Sequence, residues 1–396
     1  MKIVHMITRL ILGGAQENTV LTCEGLHRRG HDVTLITGPP LGPEGELLGR
    51  ARTGGYEVIV VNESVREISP GRDRRVYRAY KDLLADLRPD VVHTHSSKAG
   101  ILGRRAAAKL NAGPLAARPM KIVHTIHGLP FHRYESWWKN RLYIGLEKRA
   151  ARQSDAILCV ADAMSRQALA AGVGTPEQYA TVYSGMETQR FVDRPDDAEA
   201  FRASLNLPAD AVLITQVARL AEMKGHFDII KAAVTLADPR LHFCFVGDGY
   251  LREEIKDEIY DMRLDPNFHL TGLLPPSKIP AVMHASDILI HCSYREGLAR
   301  TLVQAMLAGL PVVSYDVDGA PEVVNAETGM LVPPGDVDGL AAAVRVLVDS
   351  PDLRQTLGRH GRTLCRERFD HETMVADIEA AYEGLMASGS ASSTDT

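Results

Sequence analysis

The sequence has few cysteines and no two of them close together. Cys23, Cys159, Cys244, Cys292 and Cys365 are odd in number and scattered over 396 residues, with no CxxC spacing. That excludes a disulfide framework and a cysteine zinc site, and it points to a reducing cytoplasm. No stretch approaches eighteen consecutive apolar residues, so no membrane-spanning helix is expected. The opening MKIVHMITRL is broken by His5, Thr8 and Arg9 and reads as a short strand rather than a secretory leader. The GxGxxG fingerprint is missing: in MITRLILGGAQENTV, Gln16 and Glu17 stand where a third glycine would be sought, which leaves an NAD-binding reading weak. A net charge of −5 and the lack of a basic–aromatic sheet face argue against nucleic acid as a partner.

What is present is a soluble α/β composition, 45% apolar and 24% charged, in a chain long enough for two cores. Short apolar runs alternate with helical spacing along nearly its whole length. Strands are expected at 2–7, 32–37, 57–61, 90–95, 121–127, 155–160 and 179–184, then at 212–218, 241–247, 268–272, 287–293, 311–316 and 329–334. Segments such as 75–88 and 226–237 carry helical periodicity. Val- and Ile-rich runs buried on both faces imply parallel sheets covered by helices. The expected fold is therefore two doubly wound, Rossmann-like domains facing each other across a cleft. The N-terminal domain is expected over 1–190, with a C-terminal helix near 370–387 packing back on it, and the C-terminal domain over 191–369. The polar stretch RFVDRPDDAEA (190–200) reads as the linker, and 388–396 reads as a disordered tail. Charge divides with the halves. Residues 1–190 hold 27 Lys+Arg against 18 Asp+Glu (+9), and the remainder 18 against 32 (−14), as if each half met a different partner.

In open parallel sheets ligands bind beyond the carboxyl ends of the strands, where the strand order reverses. Gly13 and Gly14 let the backbone of the first βα turn come close to a ligand, although a ligand-free turn has the same composition. HTHSSKAG (93–100) and HTIHG (124–128) end their strands in His95 and His127, with Lys98 near the first. A lone strand-end histidine is more often structural than functional, but two at one end of one sheet make the two readings even; His127, followed by Gly128, is the better candidate for a ligand, and His95 and Lys98 are expected on the acceptor side. In the second half Arg219 follows a strand and Lys224 precedes a helix beginning near Gly225, which makes an anion cradle. Gly247 opens GDG, compatible with a tight turn facing a ligand. In REGLARTLVQAM (295–306) come Glu296 and Gly297, then the amides of Leu298, Ala299, Arg300 and Thr301, then Gln304. Read as helical or nearly so, the eight residues from Glu296 to Gln304 are a little over two turns, so both side chains face one cavity. Exposed amides suit a diphosphate and Glu296 suits sugar hydroxyls. Two DxD matches, 316–318 and 336–338, are candidate metal holders, but an N-cap role explains the second without a metal.

Taken together, GGAQE, VARL…KG, VGDG, the EGLARTLVQAMLAGLPVV block, GAPEVV and GMLVPPGD make nearly the whole chain resemble a retaining glycosyltransferase of family 4 with the GT-B fold. HSSKAG, HTIHG and LPFH are similar to segments of members that extend bacterial surface polysaccharides or lipid-linked saccharides. The resemblance implies a nucleotide-diphosphate-sugar donor, with UDP the expected nucleotide, and a saccharide or polyprenyl-linked acceptor. It implies that Arg219 and Lys224 hold the diphosphate, that Glu296 touches the donor sugar, that His127 lies beside that sugar, and that Gly14 lines the opposite wall. Where the family has a second glutamate this chain has Gln304, whose amide still accepts from a ribose hydroxyl but loses about 1 kcal/mol at most of charge-assisted bonding. With so much protein positive charge, no metal or other cofactor is expected. A GT-B nucleotide-sugar epimerase and a non-catalytic sugar-nucleotide-binding protein remain as alternatives.

The basic half also contains LPFHRYESWWKNRLYIGLEKRAARQ (129–153), with both tryptophans among Lys and Arg. Aromatics beside cations suit the surface of an anionic bilayer, so a peripheral position at the inner face of the membrane is expected. An amphipathic helix docked on its sheet through Leu142, Leu146 and Ala150 is the competing reading.

Overall fold

The computed structural model describes residues 1–39 and 45–391, with side chains through 388. Among these, all thirteen expected strands form, several of them trimmed at the ends where the chain turns toward a helix. The first seven are β1 (Lys2–Met6), β2 (Asp32–Thr37), β3 (Glu57–Val60), β4 (Val91–His95), β5 (Lys121–Ile126), β6 (Ala156–Cys159) and β7 (Tyr179–Thr181). They form one parallel sheet in the order β3-β2-β1-β4-β5-β6-β7. The next six are β8 (Val212–Val217), β9 (Leu241–Val246), β10 (Phe268–Gly272), β11 (Ile288–His291), β12 (Val312–Tyr315) and β13 (Gly329–Val332). They form a second parallel sheet in the order β10-β9-β8-β11-β12-β13. The order reverses between β1 and β4 in one sheet and between β8 and β11 in the other, and these are the points at which such sheets bind ligands.

The chain divides into two compact units, Met1–Met186 with the segment from His371 onward, and Glu187–Asp370. In the first unit alternate strand residues feed two layers, as the two-residue period of a strand requires. Ile3, Val91 and Val123 pack under the helix Gly14–Arg28 and under Met374, Val375, Ile378 and Tyr382 of the C-terminal helix. Val4, Met6, Val92 and Ile122 pack under the helices Pro70–Leu87 and Ser97–Asn111. The second unit buries Ile214, Phe243, Phe245, Ile290 and Val313 against Ile229, Ile230, Leu340 and Val344 on one face. Each such side chain contributes roughly 1.5–3 kcal/mol. Helix starts follow local chemistry: Asp336 caps the helix Val337–Asp349 by accepting from the Gly339 amide, as expected for the second DxD match.

Three expectations change. The stretch 190–200 is not a free linker: Phe191 is buried and its carbonyl is within 2.8 Å of His284 Nε2, so an apolar anchor inside a polar sequence fixes it to the second unit. The C-terminal helix runs His371–Ala391, past the point where the tail was expected to begin, because a helix already nucleated gains a hydrogen bond with each added residue. Residues 392–396 of the expected tail lie outside the described residues. On the helix Trp137–Ala151, Leu142 and Leu146 do not pack on the sheet; they are 51% and 38% exposed, and Glu147, Ala150 and Ala151 form the buried side instead.

Candidate active site

In the first unit the strand-order reversal is bridged by hydroxyls and imidazoles. Thr8, just past β1, shares a 2.8 Å hydrogen bond with Ser96, just past β4, and its hydroxyl also accepts from the Ala99 amide. Ser96 holds φ 61°, ψ 154°, a region that non-glycine residues rarely enter and that costs about 1–3 kcal/mol. Below it, His5 Nδ1 lies 2.9 Å from His95 Nε2, and His95 Nδ1 lies 3.0 Å from His127 Nε2. The two expected histidines are thus in direct contact. Burial pushes His5 down to about 3, and burial followed by the neighbouring imidazoles pushes His95 well below its ordinary value, so both are neutral. His127 is half-buried and lines a cavity of about 270 Å³ with Ser96, Ser97, His124, Gly128 and Glu147. Glu147 is itself paired with the buried Arg104 at 2.8 Å. Gly13 and Gly14 are exposed at the start of the first helix. Lys98 points elsewhere, pairing with Asp73 at 2.5 Å.

In the second unit the reversal is bridged by charge. Lys224, in the turn after β8, places Nζ 2.5 Å from Glu296 Oε1, and His291 Nε2 approaches the same oxygen at 3.4 Å. Burial by itself raises the Glu296 carboxyl, but Lys224 and then His291 reverse that and hold it well below the usual carboxylate range. The Glu296 amide donates to Asp318 at 2.7 Å, which gives the first DxD match a structural task. Gln216 Nε2 donates to the Lys224 carbonyl at 2.7 Å, and the Tyr294 amide donates to the Met223 carbonyl at 2.8 Å, so the Lys224 turn is tied to β8 and to the loop after β11. Arg219 is exposed one turn earlier in the same loop. Gly247 has φ 142°, and a Cβ there would meet the Ala218 carbonyl oxygen at 2.0 Å.

The helix after Glu296 spans Arg300–Ala308 with Ala299 as its N-cap. Gly297, Leu298 and Ala299 form a buried, non-helical approach to it. The helical spacing expected between Glu296 and Gln304 therefore does not hold, because the first helical residue is Arg300, four positions beyond Glu296. Arg300, Thr301 and Gln304 are half-buried in the first turns.

Two family profiles divide the chain as the two units do. "Glycosyltransferase Family 4" matches residues 12–190, and "Glycosyl transferases group 1" matches 197–364. The 2-deoxystreptamine glucosyltransferase of Streptomyces kanamyceticus is 32% identical over 70% of this chain and 74% of its own. The chain belongs to the family 4 glycosyltransferases. To this family 4 glycosyltransferase, the UDP-Gal:alpha-D-GlcNAc-diphosphoundecaprenol alpha-1,3-galactosyltransferase of Escherichia coli is 28% identical over 88% of both chains. Among solved structures, Anabaena HepE in complex with UDP and glucose superposes with a TM-score of 0.80 at 21% identity, over 97% of this chain and all of that one. The fold class is GT-B.

Sequence reasoning missed His5, His93 and His291, and it weighed Asp318 only as part of a DxD metal match, not as the acceptor of the Glu296 amide. His93 and His95 carry a signal, since two histidines at alternate positions of a buried strand put both on one face. His291 lies inside the run ILIH and carries none that a sequence reader would separate from the core.

Proposed function

We propose that this glycosyltransferase moves a sugar with retention from a nucleotide-diphosphate-sugar, a UDP-sugar in the first instance, to a saccharide or lipid-linked saccharide. The observation that carries the proposal is the Lys224–Glu296 pair at the β8/β11 reversal. Breaking the bond between the anomeric carbon and the diphosphate oxygen builds negative charge on the leaving group. A positioned donor aimed at such charge contributes about 3–4 kcal/mol. In this reading Lys224, Arg219 and the amides from Leu298 to Thr301 take the diphosphate, Glu296 receives sugar hydroxyls, Gln304 meets the ribose, and His127 lies beside the sugar. The acceptor oxygen attacks from the face the diphosphate leaves, and its proton passes to the departing phosphate oxygen. Glu296 has no nucleophilic role, since its carboxylate is engaged by Lys224 and His291. The protein supplies the cationic charge without a metal. The names of the relatives support the donor and acceptor classes: one is a UDP-Gal transferase acting on a diphosphoundecaprenol-linked sugar, and a fold neighbour binds UDP and glucose.

The acceptor class brings in the bilayer. Trp138, Leu142 and Leu146 stand four residues apart on one exposed stripe, with Arg141 and Arg149 exposed beside them. Such a face suits shallow burial in an anionic lipid surface. No helix among the described residues is long and apolar enough to cross a membrane. Co-sedimentation with anionic vesicles at low salt, lost in Trp138→Ser/Leu142→Ser, tests this part.

The donor site is tested by calorimetric titration with UDP, GDP, ADP and dTDP in EDTA, on the native protein and on Lys224→Ala. Saturable binding of one nucleotide that collapses in the variant supports the assignment. Failure of the folded protein to bind any of the four rules it out.

A further inference from the structure

The histidines beneath the first unit's reversal form a file rather than a cluster of independent rings. His5 Nδ1 meets His95 Nε2 at 2.9 Å, and His95 Nδ1 meets His127 Nε2 at 3.0 Å. His93 lies against both inner rings, with centroids 4.3 Å from His95 and 4.9 Å from His5, but its own nitrogens go to Tyr382 and Thr125. His5, His93 and His95 are grouped closely enough to suggest a metal site. With His93 and His95 engaged at both nitrogens, only His5 Nε2 lacks a hydrogen-bond partner, so the three rings do not offer a set of free nitrogens.

We propose that His5 and His95 are positioning residues that fix His127 in one tautomer, neutral, with its proton on Nδ1. A neutral imidazole has one N–H and one acceptor nitrogen. A file of three such rings has two consistent arrangements. With the protons directed outward, His5 Nδ1–H donates to His95 Nε2, His95 Nδ1–H donates to His127 Nε2, and the His127 proton is left on Nδ1. With the protons directed inward, every bond reverses and the last N–H is placed on His5 Nε2. That atom is fully buried and has no partner. An orphaned buried N–H is rarer than an under-satisfied acceptor, so the outward arrangement holds. Protonating His127 at Nε2 would set two N–H groups against each other unless the whole file inverted to the same orphaned end. The titratable groups around the file do not relieve that conflict. His93 and His124 are themselves buried and neutral, Tyr382 is occupied by His93, and Glu147 is paired with Arg104.

The consequence for turnover rests on the reading that His127 meets the donor sugar: the file holds that ring in one orientation and one tautomer there. The test is two-bond ¹⁵N–¹H NMR of the full chain labelled at histidine, with His127 assigned by its loss in His127→Asn. The expected native signal is the Nδ1–H tautomer. His95→Asn puts an amide N–H where Nδ1 stood, and it keeps that tautomer. His95→Gln moves the amide toward the Nε2 position, so His127 becomes a mixture of tautomers and kcat falls about 10- to 100-fold, with KM for the donor little changed. A native Nε2–H tautomer, or one that His95→Gln leaves unaltered, overturns the proposal. A tautomer that shifts as expected without loss of turnover upholds the file and refutes the placement of His127 beside the donor. The native spectrum decides the first point even if His95→Gln does not fold.

Discussion

The two sheets have the same topology at their order reversals but close them with opposite chemistry. Between β8 and β11 the contact is ionic: Lys224 and Glu296 meet at 2.5 Å, with about a quarter of each side chain still open to solvent. Between β1 and β4 the contact is neutral, made of Thr8, Ser96, His5 and His95, all but Ser96 buried. A charge kept at a partly wet rim can be re-aimed at an anion as it arrives. Neutral rings stacked in the dry interior can hold a geometry but cannot take up a proton without loss of stability. The same frame thus provides an electrostatic site in one unit and a rigid, uncharged one in the other.

Acid is the strongest way to separate them. His5, His93, His95 and His124 are all held neutral by burial in the first unit, against an ordinary value near 6.5. Above that value folded and unfolded chains are both neutral and stability is complete. Below it the unfolded chain takes protons that the fold refuses, and stability falls until the folded values, about 3 for His5, are reached. Each ring costs about 1.4 kcal/mol per pH unit, or about 5 kcal/mol per unit for the four. In the second unit burial and then Lys224 push His226 to about 4, and burial also lowers His242, His269 and His284, which are less completely buried than the four rings of the first unit. Hydrogen exchange, corrected for intrinsic rates, should therefore show β1 and β4 losing protection before β8 and β11 between pH 6.5 and 5. Equal loss in both units would remove the contrast.

Neutralising the ionic contact comes next. Glu296→Gln keeps the shape and removes the charge that holds Lys224, and kcat/KM should drop about 10²–10³-fold. Paired with Lys224→Met, the double variant should lose less than the sum of the two singles, because the residues are in contact. Strict additivity would mean that each acts alone.

How much of this was legible in the sequence follows the same division. The sheets were readable because Val and Ile runs buried on both faces have little alternative to a parallel strand. Lys224 and Glu296 were readable because charged residues at strand ends stand out from the apolar runs before them. Their pairing across 72 positions was not, since it depends on β8 and β11 being neighbours in the sheet. His5 was hidden for the opposite reason: inside KIVHM it looks like a tolerated polar residue, and only the pairing of β1 with β4 brings it to His95 and makes it part of a file. The helical spacing of Glu296 and Gln304 failed because the approach through Gly297, Leu298 and Ala299 is not helical, while a distant residue, Asp318, takes the Glu296 amide.

The smallest expected effects compare glycines at two βα turns, one after β1 and one after β9. At Gly247 the backbone has φ 142°, and an added Cβ would sit 2.0 Å from the Ala218 carbonyl oxygen, a main-chain atom held by the adjacent β8 turn. Gly247→Ala must therefore move backbone beside Arg219, and it should cost about 2–3 kcal/mol of stability as well as nucleotide affinity. At Gly13 the backbone is extended, with φ 177°, and the nearest atom to an added Cβ is the tip of the Gln16 side chain, which can swing away. Gly13→Ala should stay within about 0.5 kcal/mol of the native protein in urea unfolding. The comparison is informative because both glycines sit at strand-to-helix turns in similar motifs. If Gly13→Ala were as damaging as Gly247→Ala in binding while remaining stable, the turn after β1 would have to approach a ligand as closely as the turn after β9 approaches its own neighbour. That would move the first unit's glycines from turn formation to direct contact with the donor.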